Sequence, residues 1–224
     1  MIAQSPLPLV LPASYARADF VQAPCNHDAL ALINAAVLPS GKLVVTGPEG
    51  SGKTHLLHVW ATAQKAVVLP VAHLAQLDLA GLRVQAVALD DASAIATDQA
   101  AQTALFHLHN LLAERGGQLL LTARAPVRDW GLTLPDLASR LQAATHVTLG
   151  RPDDDLLAAV LAKHFADRQV RVPDTLIPFL LARIERSLGA AQRVAALLDT
   201  ESLARGKPIT RAFAAEVLQG ELGL

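Results

Sequence analysis

The chain has 224 residues, a formal net charge of -1, and 52% hydrophobic but only 4% aromatic residues. That length allows one α/β domain, or a core domain with a small helical satellite, around an aliphatic core of Ala, Leu and Val. The near-neutral charge, without a run of Lys or Arg, excludes a strongly basic nucleic-acid surface, and the one cysteine, Cys25, excludes an intramolecular disulfide framework and fits a reducing cytoplasm.

Residues 1–13 hold Pro6, Pro8 and Pro12, too many for a helix or a central strand, and are read as an extended arm. They lack a basic n-region, so no signal peptide is expected. Residues 26–36 predict a helix with Asn26 as its N-cap. Lys42 to Thr46 (KLVVT) predicts a buried strand, followed by a glycine loop and a helix to about Gln64. Ala66 to Pro70 and Val84 to Leu89 are the next expected strands. A long helix over 98–115 is closed by Gly116-Gly117. Gln118 to Thr122 and Thr145 to Leu149 complete the strand set. Apolar strand runs alternating with helices predict an α/β fold, with five parallel strands covered on both faces. After Gly150 the strand pattern stops, and residues 153–166, 173–184, 187–204 and 210–219 all read as helices. The expected organisation is an arm (1–13), an α/β nucleotide-binding core (14–150) and a helical lid (151–224). No segment is apolar for long enough to span a membrane.

Gly47-Pro48-Glu49-Gly50-Ser51-Gly52-Lys53-Thr54 matches G-x-x-x-x-G-K-[ST] in full and stands between a strand and a helix, the context a phosphate-binding loop requires. Its glycines let backbone N–H groups curl around phosphate oxygens, and the following helix N-terminus adds its dipole. Pro48, Gly50, Ser51 and Gly52 form the cradle, Lys53 neutralises the outer phosphates and the Thr54 hydroxyl ligates magnesium. The cofactors expected are therefore ADP or ATP with Mg2+. Asp90 and Asp91 end the strand VQAVAL, and Asp90 is positioned to hold the metal through water, the Walker B role. Two readings of Asp91 stand: it orients an attacking water, or it caps the next helix, DASAIATDQAA. Thr122, at the end of QLLLT, also has two: it reaches the γ-phosphate or the attacking water, or it bonds local backbone. Arg140 is read as following a helix and preceding the last core strand, and Arg186 as opening a helix of the helical segment; spacing alone reads both as solvated surface charges.

The order of these elements resembles the AAA+ ATPases of the DnaA clade. The match covers about Phe20 to Gln219 and rests on the phosphate loop, the Asp-Asp strand, the Thr-ended strand, the Ser-Arg-Leu box around Arg140 and the four-helix lid. Asp19-Phe20-Val21 with Cys25-Asn26 looks like the clade's entry motif beside the adenine base. The resemblance implies that Phe20, Val21, Asn26 and His55 contact the nucleotide and that Cys25 lines the base pocket. It implies that Arg140 is an arginine finger reaching into a neighbouring subunit's nucleotide, and that Arg186 is the sensor 2 arginine acting on the chain's own.

Within the clade, the chain is similar to regulatory inactivators of DnaA. Gln4-Ser5-Pro6-Leu7-Pro8-Leu9 looks like the peptide by which they bind the DNA polymerase sliding clamp, Gln4 bonding at a pocket rim while Leu7 and Leu9 fill an apolar cleft. The prolines hold such an arm extended and reduce the entropy lost on docking. No DNA-binding helix-turn-helix is expected beyond the lid, so DNA is met indirectly, through the clamp. The resemblance implies negative control of replication initiation: nucleotide-bound protein docks on the loaded clamp and stimulates hydrolysis of ATP held by DnaA. It also implies slow or absent hydrolysis by this chain, a preference for ADP, and homo-oligomer formation as an open possibility. The alternatives are an autonomous ATPase, such as a DnaC-like helicase loader, or a DnaA-related adaptor that does not bind the clamp. The chain departs from the pattern after Thr122, where Ala-Arg-Ala-Pro stands in place of a segment with an aspartate near Arg124, which leaves the sensor 1 position open. The initiator's helical insertion is not recognisable between Asp91 and Gln118.

The eight histidines form no set with zinc-ligand spacing and are read as core or surface residues. Trp60 and Trp130 are too few and too far apart for a base-stacking platform.

Overall fold

The computed structural model describes residues 15–76, 78 and 81–222. The arm expected over 1–13, with Gln4, Leu7 and Leu9, lies outside the described residues. Contacts divide the described chain into two units, Tyr15–Arg151 and residues 152–222.

The first unit contains five parallel strands, β1 (Lys42–Thr46), β2 (Val67–Leu69), β3 (Ala86–Leu89), β4 (Gln118–Ala123) and β5 (Thr145–Thr148). They lie in the order β2-β3-β4-β1-β5. Four helices connect or cover them: α1 (His27–Ile33), α2 (Lys53–Gln64), α3 (Gln99–Glu114) and α4 (Pro135–Gln142). Both faces of the central strands β1, β3 and β4 are buried, while the edge strands β2 and β5 are partly exposed, and the two-residue period of the strands divides the core in two. Leu43, Val45, Ala86, Ala88 and Leu120 face α1 and α2, packing with Leu30, Leu56, Leu57 and Trp60. Val44, Val87, Leu89, Leu119 and Leu121 face the other way, against Leu105, Leu108 and Leu112 of α3 and Leu137 and Leu141 of α4. The core is thus largely aliphatic, with Phe20, Trp60 and Trp130 among its aromatic members.

The five-stranded parallel α/β fold agrees with expectation, while several element boundaries differ. The helix expected over 26–36 is only His27–Ile33, and Asn34 caps it through its backbone N–H to Leu30 O. Asn26 sits at the N-cap position without making a side-chain cap bond. Its carboxamide turns back instead, accepting from Ala23 N at 2.9 Å and donating to Val21 O at 2.9 Å, which folds the entry loop. Asp98, not Asp91, caps the long helix, accepting from Ala101 N at 3.0 Å. The helix expected ahead of Arg140 is α4, and it runs on past that residue. Arg140 therefore belongs to the last turn of a helix rather than following one.

The second unit consists of α5 (Asp154–Asp167), α6 (Leu176–Leu181), α7 (Leu188–Arg205) and α8 (Arg211–Leu222). Asp153 caps α5 and Ser187 caps α7, each accepting from the backbone N–H three residues on. Gly206, with φ 60°, ends α7 in the left-handed conformation. The helix expected over 173–184 is confined to Leu176–Leu181, because Pro173, Asp174 and Thr175 form a turn ahead of it. Among the described residues, no helix is long and apolar enough to cross a membrane.

Candidate functional site

In a parallel sheet every strand points its C-terminal end to the same edge, where ligand sites gather. β1 leaves that edge at Thr46 and enters the loop 47–54. The loop's shape depends on glycine: Gly50 and Gly52 have φ of 71° and 94°. Gly47 has no room for a side chain, since a Cβ there would lie 2.8 Å from Leu149 O and 2.9 Å from Ser51 Oγ. The Ser51 hydroxyl is buried without a hydrogen-bond partner. A backbone cradle with an unsatisfied hydroxyl at its base, opening at the start of α2, fits a polyanion.

Lys53 begins α2, and its Nζ donates to Gly47 O at 2.9 Å and to Pro48 O at 2.7 Å, across the loop. Burial holds its pKa below the ordinary lysine value, with Asp90 opposing and Arg124 reinforcing the shift. The ammonium is thus under-compensated by the carboxylates around it, a condition that a phosphate oxygen relieves.

Thr54, Asp90, Asp91 and Thr122 come together behind the loop. Thr54 Oγ1 donates to Asp90 Oδ2 at 2.7 Å. Thr122 Oγ1 donates to the other Asp90 oxygen and accepts the Asp91 N–H at 3.0 Å. The Thr122 hydroxyl therefore locks the end of β3 to β4 and spends its single proton on Asp90. Asp91 has φ 50° and ψ 46°, a left-handed conformation that an aspartate tolerates, and its carboxylate accepts from Ser93 Oγ at 3.2 Å. It makes no side-chain cap bond to the 3-10 turn Ala92–Thr97 that follows. Among the described residues, no group of three or more His, Cys, Asp or Glu is placed to hold a metal. A cation beside Thr54 and Asp90 would complete its shell with phosphate and water oxygens, the usual arrangement for magnesium.

The entry segment reaches the same edge. Gly150 N donates to Cys25 O at 2.9 Å, and Leu149 N donates to Thr46 O at 2.7 Å, so the entry loop, the end of β5 and the start of the phosphate loop meet. Phe20 is buried and packs edge-on against His55 of α2, with ring centres 5.3 Å apart. Val21 is half-buried. His55 Nε2 is 3.1 Å from Ala16 O, and Tyr15 stacks on His58 at 4.3 Å, so the segment is pinned along α2.

Burial lowers the His55 pKa, against an opposing pull from the Ala16 carbonyl and Asp19. The folded chain therefore takes up this proton at lower pH than the unfolded chain. Stability from His55 is fully present above its ordinary value near 6.5 and falls as pH drops through the lowered folded value. His109, also held down by burial, contributes with the same sign. Thermal unfolding measured from pH 7.5 to about 5 should show a steeper loss for the wild type than for His55→Asn, and parallel curves would contradict this account of the entry segment.

Arg140 is exposed, with its guanidinium 5.2 Å from the centre of the Phe106 ring. It lies in the last turn of α4, which leads through residues 143–144 into the start of β5 at the N-terminal edge of the sheet. Its charge is felt by His109 together with that of Lys42, the first residue of β1. Arg140 is thus at the opposite sheet edge from the chain's own phosphate loop. Arg186 belongs to the helical unit, where it pairs with Asp154 at 3.0 Å.

Two features escaped the sequence reading. Gln102 is buried on α3, with its amide donating to Ala96 O at 3.0 Å and its carbonyl accepting from Thr133 N at 2.9 Å and Leu134 N at 3.1 Å. It fixes the chain leading into α4, and so the position of Arg140. A lone polar residue on an amphipathic helix gives no sequence signal for this. The second is an ion pair between Glu49 of the phosphate loop and Arg124, at 2.8 Å.

The phosphate loop set into this sheet, with a helical unit following it, has the architecture of AAA+ modules. No protein-family model matches the chain. Domain III of the replication initiation protein DnaA from Thermotoga maritima is similar at a TM-score of 0.78 and 21% identity, over 92% of this chain and 96% of that one. AMPPCP-bound DnaA from Aquifex aeolicus is similar at 0.72 and 19% identity, over 88% and 69%. The RuvB Holliday junction branch migration motor of Thermotoga maritima follows at 0.70 and 16%, over 92% and 72%. At these identities the likeness establishes the fold, an AAA+-type α/β core followed by helices.

Proposed function

We propose that this chain binds an adenine nucleotide and acts as a negative regulator of replication initiation of the Hda type, stimulating hydrolysis of ATP held by DnaA. The observation that carries the proposal is the position of Arg140, exposed at the sheet edge away from the chain's own phosphate loop. A guanidinium so placed serves a nucleotide on another subunit. There it would stabilise negative charge developing on the transferred phosphoryl group, as arginine fingers do.

In this reading the loop residues Pro48, Gly50, Ser51 and Gly52 hold the phosphates of ADP or ATP, with Lys53 as counter-charge. Thr54 and Asp90 hold magnesium, which would supply neutralising charge between the phosphates. Phe20, Val21, Asn26 and His55 shape the base side, and Arg186 acts from the lid. The arm 4–9 docks on the sliding clamp through Gln4, Leu7 and Leu9, so that DNA-loaded clamp brings regulator and DnaA together. The linked Thr54, Asp90, Thr122 and Asp91 set favours a second reading, an autonomous ATPase such as a DnaC-like helicase loader.

One assay separates the two: turnover of DnaA-bound ATP on clamp-loaded DNA, with and without this protein. A regulator accelerates it, and a Gln4→Ala, Leu7→Ala double variant loses both the acceleration and clamp capture while still binding nucleotide. ATP turnover by this chain alone, with no effect on DnaA, would favour the motor instead.

A further inference from the structure

The helical unit carries an open depression of about 490 Å³ lined by Asp174, Thr175, Pro178, Phe179, Arg183 and Arg211. Phe179, on α6, is buried at its base, and the two arginines are exposed around it. The Arg183 guanidinium stands 3.9 Å from the centre of the Phe179 ring, and that of Arg211 stands 5.1 Å from it. The two charges are therefore within a Debye length of each other, about 10 Å at moderate salt, and they repel. Among the described residues, neither is paired with a carboxylate. Arg183 donates to Phe179 O at 3.2 Å, which leaves most of its N–H groups unused. Arg211 opens α8, where the helix dipole disfavours a cation and favours an anion. Thr175 precedes α6 and makes no side-chain cap bond. Asp174 sets the balance: two guanidiniums against one carboxylate leave a single net positive charge, which matches a monoanion better than a phosphate monoester.

We propose that this depression is a docking site for an acidic peptide segment of a protein partner, one that presents a carboxylate beside an apolar side chain. The carboxylate bridges Arg183 and Arg211, whose planar forks suit its oxygens, and so ends their mutual repulsion. The apolar neighbour lies against Pro178 and the Phe179 ring. Thr175 and Asp174 meet the peptide backbone, the hydroxyl donating to a carbonyl and the carboxylate accepting an N–H. Asp174 also disfavours a doubly charged phosphate. Arginine set beside an aromatic ring is the composition of interface hot spots. None of these six residues holds nucleotide in the reading above, so docking here does not depend on residues 47–54.

The test is titration of the full chain with acetyl-Ala-Leu-Glu-Leu-Ala-amide, followed by NMR chemical shifts. Saturable shifts are expected at residues 174–183 and 211. The same peptide with Gln in place of Glu should bind about tenfold more weakly, the loss of one charge-assisted contact. Arg183→Gln and Arg211→Gln should each weaken the Glu peptide about tenfold and the Gln peptide by less than about twofold. Both side chains are exposed, so the melting temperature of either variant should stay near that of the wild type. Arg211→Lys should recover part of the loss. Equal affinity for the Glu and Gln peptides, or tighter binding of a phosphoserine peptide, would overturn the proposal. So would shifts confined to other parts of the chain, or no saturable shift at millimolar peptide.

Discussion

Lys53→Ala is expected to lower affinity for ADP or ATP by a hundredfold or more while leaving a folded protein. The Lys53 ammonium starts α2, spans the loop to Gly47 O and Pro48 O, and is held below its ordinary pKa by burial. A bound polyphosphate would give it full-charge acceptors. Hydrogen bonds to charged groups contribute about 1.5–3 kcal/mol each, and two of them correspond to roughly a hundredfold or more in Kd. Without nucleotide the same change removes two contacts to loop carbonyls, and it also removes a cation from a helix N-terminus, where positive charge is unfavourable. The nucleotide-free melting temperature should therefore move by only a few degrees, about 2–4 °C per kcal/mol for a chain of this size. Nucleotide titration and thermal melting of the same preparation check both parts. Unchanged affinity would remove Lys53 from the site.

Arg140→Ala is expected to abolish stimulation of DnaA-bound ATP turnover, a loss of about a thousandfold or more where a trans arginine carries the rate enhancement. Nucleotide binding by this chain should not change, because the side chain sits at the other edge of the sheet. Its structural contribution is the contact over Phe106, about 0.5–1 kcal/mol for an exposed cation–π pair. Loss of turnover with intact nucleotide affinity and a near-normal melting temperature is thus specific to a role in trans. Normal stimulation by the variant would take Arg140 out of the mechanism.

The shape of loop 47–54 was legible in the sequence because its eight residues, with the strand before and the helix after, define one local conformation. The Asp90 environment was legible in part: the strand end was visible, but its bonds to Thr54 and Thr122 follow from strand order. The core faces were not legible, because Leu43, Val44 and Val45 are all buried and a continuously apolar strand does not disclose which residue faces which helix. The extent of α4 was not legible because Pro135–Gln142 is short, with only Leu137 and Leu141 buried. Its placement depends on Gln102, distant in sequence. Asn26 was read as a helix cap because residue type alone does not tell a forward-reaching carboxamide from one that closes the loop behind it. The Glu49–Arg124 pair required the β1–β4 register, which no local pattern encodes.

All of these roles presuppose that the arch of amides at residues 47–54 takes up a polyphosphate. Calorimetric titration of Mg-ADP into the full chain tests that directly. One site per chain, with Kd of about 10 μM or tighter and a rise in melting temperature that grows with ligand concentration, is the predicted result. A folded chain that shows no saturable binding at millimolar Mg-ADP or Mg-ATP would contradict it.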